Sequence, residues 1–107
     1  MAWSVRRPNP VFSEEYELLR QTLIEHRRAS GLTQRELAKR IGKVASHVSM
    51  IENGQRRLDT LELYLMALAL DVQPEALFGA MCVRLRDHAR GSSQHMSESH
   101  LDIADVT

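Results

Sequence analysis

The side chains able to do chemistry gather in one stretch. Between positions 27 and 57 stand Arg27, Arg28, Arg35, Lys39, Arg40, Lys43, Arg56 and Arg57, against only Glu36 and Glu52. That local charge of +6 sits in a chain of 107 residues with zero formal net charge, so the remainder carries −6. Cations gathered on one surface attract a polyanion, which scattered charges do not. A solvated face carrying the same arginines is the plainer reading. Inside the block lies "GKVASHVSMIENG" (42–54), where Ser46, His47, Ser49, Met50 and Asn53 offer hydroxyls, an imidazole, a thioether and a carboxamide. Hydroxyls donate and accept, so they suit several partners.

Other chemistry is poorly supported. No spacing sets a Ser or Cys nucleophile beside a base, so no catalytic residue is assigned and no enzyme is expected. Cys82, His88, His95 and His100 fit no compact zinc pattern, so neither metal nor cofactor is expected. The five glycines are scattered and form no phosphate loop.

The elements that must position the basic stretch read as helices, with no strand-like alternation before the tail. Ser13 suits an N-cap, with Glu14, Glu15 and Glu17 at the positive end of a helix dipole and Tyr16, Leu19, Leu23 and Ile24 as its apolar stripe. Gly31 suits its C-cap. Thr33 and Glu36 form a capping box, flanked by a Leu32–Leu37 staple, and a second helix of about two turns ends near Ile41. On the third helix Val44, Val48 and Ile51 should face inward, which turns Ser46, Met50 and Asn53 outward, with His47 and Ser49 on the flanks. Asp59 and Glu62 repeat the capping pattern. The helix that follows is apolar on most sides (Leu61, Leu63, Tyr64, Leu65, Leu68, Leu70) and is expected to be the central core element. Pro74 suits the first position of a last helix running to about Arg86.

The domain division is an irregular arm over 1–12, a helical domain over 13–78, a helical extension over 79–90 and a polar, acidic tail over 91–107 expected to be disordered. A single cysteine suits a reducing interior. "MAWSVRRPNPVF" has no signal-like apolar run, and "LELYLMALAL" is about half the length that spans a bilayer. The expectation is a soluble, cytoplasmic protein without membrane contact.

Two segments carry a family resemblance: "RRASGLTQRELAKRIG" (27–42) and "SHVSMIENGQRRLDTLELYLMALALDVQPEALF" (46–78). From Leu23 to Phe78, about half of the chain, the sequence resembles the Cro/repressor-type helix-turn-helix domain of the XRE family. The resemblance implies an all-α, lambda-repressor-like bundle of five helices, with double-stranded DNA as partner, helix 2 across the backbone and helix 3 in the major groove. It implies base-facing roles for Ala45, Ser46, Ser49 and Met50, and phosphate contacts for Gln34, Asn53, Arg56 and Arg57. Arg35, Lys43 and His47 join the phosphate set from the basic block. Arg27 and Glu52 match a pair that braces helix 1 against helix 3. Relatives often carry Ser, Thr or Pro at the Val44 position and Gln at the Ala45 position, so here helix 3 lacks a polar N-cap and its usual first reader.

The resulting expectation is a sequence-specific transcriptional regulator, most simply a repressor. It would bind an inverted repeat as a homodimer, with half-sites about 34 Å apart or a multiple of that, and be nucleoid-associated when bound. Leu77, Phe78, Met81, Cys82 and Leu85 on the last helix are expected to form the dimer contact, and the tail could engage a protein partner. The alternative is a protein-interaction adaptor, such as an antitoxin, with incidental DNA binding.

Overall fold

Each helix begins and ends where local chemistry stops the backbone. A computed structural model describes residues 13–92 and shows, among them, five helices and no strand: α1 (Glu14–Ala29), α2 (Gln34–Arg40), α3 (Ala45–Glu52), α4 (Thr60–Ala69) and α5 (Pro74–Ser92). The Ser13 side chain accepts from the Tyr16 N–H at the start of α1. Thr33 and Glu36 cap α2 reciprocally, and Asp59 and Glu62 do the same for α4. At α3 the N-cap is Val44, which makes no side-chain hydrogen bond.

The helix ends need positive φ. Gly54, after α3, sits at φ +84, a conformation that calls for glycine, and a Cβ there would also crowd the Arg20 guanidinium at 3.1 Å. Asp71 takes the same left-handed role after α4 at φ 60, a conformation that Asp tolerates better than most residues.

All five helices feed one core: Leu23 from α1, Leu37 and Ala38 from α2, Val48 and Ile51 from α3, Met66, Ala67 and Leu70 from α4, and Leu77 and Met81 from α5. Ala38 is fully buried and small, so α2 and α3 pack closely across the turn at 41–44. Arg40 donates to the Ala69 carbonyl at 2.9 Å and ties α2 to the end of α4.

Several expectations require correction. Val44 was placed on the inward side of α3, yet it is 70% exposed, because as N-cap its backbone is extended and leaves the helix wheel. The central place given to α4 holds for one side only. Met66 and Ala67 are buried, but Leu61, Tyr64, Leu65 and Leu68 remain exposed. Leu77 and Met81 cannot form a dimer contact, because both point into the protomer's own core, against which α5 folds back along α1. Phe78 is exposed, while Cys82 and Leu85 are half-buried. Arg84 pairs with Glu25, and His88 with Glu14, along that α1–α5 seam. Finally, α5 runs through Gly91 to Ser92, so the extension is continuous with the last bundle helix and the tail begins later than position 91. The arm over 1–12 and the remaining tail lie outside the described residues.

Candidate nucleic-acid interface

Helix α3 divides cleanly. Val48 and Ile51 are fully buried, which fixes its rotation. Ser46 and Met50 are therefore exposed on the far side, with Ala45 and Ser49 half-buried beside them. Met50 is 39% exposed, enough to offer its thioether methyl to an apolar group. These four residues form the small, weakly polar face expected to meet bases.

The exposed cations flank this face in the chain. Arg35 lies in the first turn of α2, Lys43 in the turn between α2 and α3, and Arg57 in the loop after α3. All three are exposed, and none pairs with another described side chain. Asn53, the exposed C-cap of α3, opens the same loop.

The buried Arg27–Glu52 pair ties the end of α3 to α1. Arg27 Nε and Nη2 donate to the Glu52 carboxylate at 2.7 and 3.0 Å, a bidentate fork. Arg27 Nη1 also donates to the Leu32 carbonyl at 2.8 Å. The guanidinium thus links α1, the α1–α2 turn and the end of α3.

Three side chains expected on phosphates have other duties. Gln34 Nε2 donates to Glu52 Oε1 at 2.8 Å, so one of its N–H groups is held internally and only the second is left for a phosphate. His47 is turned away from the outer face. Its Nε2 lies 2.8 Å from Glu62 Oε2, and its side chain is 11% exposed. Arg56 Nη2 donates to the same oxygen at 3.2 Å while its side chain stays about half exposed. The reason is Glu62, a buried acid on an otherwise apolar helix, which draws in the nearest donors to remain charged.

Glu62 is the residue that sequence reading missed as part of this region. It caps α4, holds His47 of α3 and holds Arg56 of the intervening loop. Burial pushes its pKa up. Hydrogen bonds from the Asp59 backbone, Arg56 and His47 outweigh that and leave it below the ordinary value. The only linear signal was an acid inside "LELYL" with no charged neighbour on its helix. Among the described residues no three His, Cys, Asp or Glu side chains form a metal-binding group. No single described helix is long and apolar enough to cross a membrane.

A short helix, a tight turn and a second helix braced with an outward polar face define the class: a helix-turn-helix DNA-binding domain. Comparison with known proteins agrees. The helix-turn-helix family model HTH_3 matches residues 23–77. A solved XRE-family like protein from Pseudomonas syringae pv. tomato str. DC3000 is similar, at 38% identity and a TM-score of 0.62, over 65% of this chain and 85% of that one. No curated protein sequence matches significantly. The chain belongs to the XRE-type helix-turn-helix family of DNA-binding regulators.

Proposed function

We propose that this protein is a transcriptional repressor that binds an inverted-repeat operator as a homodimer, acting in the cytoplasm by excluding polymerase from a promoter. The carrying observation is the outward face of α3, where Ser46 and Met50 are exposed, together with the exposed cations Arg35, Lys43 and Arg57, which precede and follow it in the chain. The cations anchor phosphates and the face enters the major groove. Ala45 and Met50 give apolar contact to a thymine methyl, and Ser46 and Ser49 give hydroxyl contacts that tolerate more than one base. Base discrimination is therefore modest over a firm backbone grip, and water or DNA shape adds to it.

Fluorescence anisotropy on a labelled duplex across a salt series tests this reading. A repressor using several phosphate contacts loses affinity steeply as salt rises. Absence of duplex binding even at low salt would favour the adaptor reading, to which the exposed apolar side of α4 also lends support.

A further inference from the structure

One carboxylate oxygen holds both helix α3 and the loop that follows it. Glu62 of α4 is 8% exposed. Its Oε2 accepts from Arg56 Nη2 at 3.2 Å and lies 2.8 Å from His47 Nε2. Its Oε1 accepts from the Asp59 N–H at 3.0 Å. A carboxylate only accepts, so His47 Nε2 carries a hydrogen whether the imidazole is neutral or charged. Nδ1 has no hydrogen-bond partner among the described residues, so it is the atom that gains or loses a proton. The two donors differ in kind. Arg56 is always charged, about half exposed, and spends one N–H on Glu62. His47 is largely enclosed, and imidazole is the side chain that changes charge between about pH 5 and 8. The other charged groups around α3 are committed elsewhere: Arg27 of α1 to Glu52, Arg20 of α1 against Gly54, and the Asp59 carboxylate on the Glu62 N–H. From α2 only the neutral Gln34 turns in, also to Glu52. Lys43 and Arg57 are exposed and pair with no described side chain.

We propose that DNA binding draws Arg56 from Glu62 onto a phosphate, and that His47 takes up a proton from solvent to replace it, so that duplex affinity rises as pH falls. The inference rests on the DNA-binding reading above. Before DNA arrives, the Arg56 and Glu62 charges cancel beside a neutral imidazole. A phosphate offers Arg56 a charge-assisted, two-pronged partner in place of one contact at 3.2 Å. Its departure leaves the Glu62 charge in a nearly buried site, and an unpaired buried charge is costly. Protonating His47 restores the balance without moving a heavy atom, since Nε2 already lies at hydrogen-bond distance. Glu62 itself stays ionised throughout. Burial raises its pKa, but hydrogen bonds from the Asp59 backbone, Arg56 and His47 hold it below the ordinary 4.5. The sign follows from linkage. A complex that binds one more proton than its free parts gains affinity as pH drops, by at most about tenfold per pH unit. Glu62 is thereby a positioning residue for the backbone grip, and His47 acts on DNA only through it.

Isothermal titration calorimetry counts the protons directly. A mixed-sequence duplex is titrated at low salt and about pH 6.5, in two buffers of different ionisation enthalpy. The wild-type protein should take up a substantial fraction of one proton. Its affinity should rise about three- to tenfold from about pH 8 to about pH 6. His47→Gln keeps a donor for Glu62 but cannot titrate, so both uptake and pH dependence should vanish. Arg56→Ala leaves Glu62 on His47 alone before and after binding, so it should bind more weakly and take up far less. This half-exposed position also decides the matter should His47→Gln fail to fold. His26→Gln, on α1, should keep the wild-type uptake. Affinity that is flat over this pH range, or uptake that survives undiminished in His47→Gln or in Arg56→Ala, would overturn the inference and leave DNA binding intact. Failure to bind the duplex at any pH would overturn both this inference and the DNA-binding reading.

Discussion

Removing one partner of the Arg27–Glu52 pair should be among the most damaging single changes. Both residues are buried, at 7% and 8% exposure. Glu52→Ala deletes two charge-assisted hydrogen bonds to the guanidinium and the acceptor of Gln34. The truncated side chain leaves Arg27 charged, desolvated and held only by the Leu32 carbonyl. Breaking a buried pair in this way costs about 3–5 kcal/mol. For a domain of this size each kcal/mol moves the melting temperature by about 4–8 °C, so the variant should melt on the order of 20 °C lower. A small domain holds about 5–15 kcal/mol in all, so a sizeable part of the variant could be unfolded at 37 °C. Urea unfolding followed by circular dichroism gives the free energy directly. The double change Arg27→Met with Glu52→Leu serves as the control, because it removes both charges and refills the space, and it should recover most of the loss. A cost for Glu52→Ala below about 1 kcal/mol, typical of a surface pair, would refute the reasoning. So would a double variant no more stable than Glu52→Ala.

Other consequences are open to simple tests. Thr33→Ala removes half of the α2 capping box and should cost about 1 kcal/mol in urea unfolding, without moving the base preference of DNA binding. Lys43→Ala should weaken duplex binding evenly across sequences and lower the salt slope, in anisotropy titrations, by about one unit. Met50→Ala should leave that slope unchanged and reduce the preference for thymine at one position per half-site, seen as a loss of up to about tenfold on the preferred duplex. Glu62 and Glu36 both have folded pKa values below the ordinary 4.5, so the stability they contribute is complete above that pH. It is lost as pH falls below 4.5 through the folded values. Urea midpoints should drop there, and less steeply in Glu62→Gln.

Much of the fold was legible because its signals are local. Both capping boxes follow from residues three apart, and the structure shows each. What escaped was contact between distant segments. Nothing near Leu77 or Met81 reveals that α5 turns back on α1 and buries them, since an apolar stripe looks the same whether it meets its own core or a second chain. The apolar sequence of α4 left the same ambiguity, and the reading chose burial for all of it. His47 was placed by its position on a wheel, and Gln34 by the family resemblance. Their partners, Glu62 and Glu52, lie fifteen and eighteen residues away, and a wheel carries no such information. Val44 failed for a different reason: an N-cap residue precedes the helix and does not obey its periodicity.

The central claim is that α3 reads DNA sequence. Selection of bound duplexes from a random library at low salt, followed by sequencing, tests it most directly. The account predicts enrichment of an inverted repeat whose half-site centres lie about one helical turn apart, or a multiple of it, with only a few strongly preferred positions in each half. A library that yields no inverted repeat, although the protein is folded and dimeric, would contradict it.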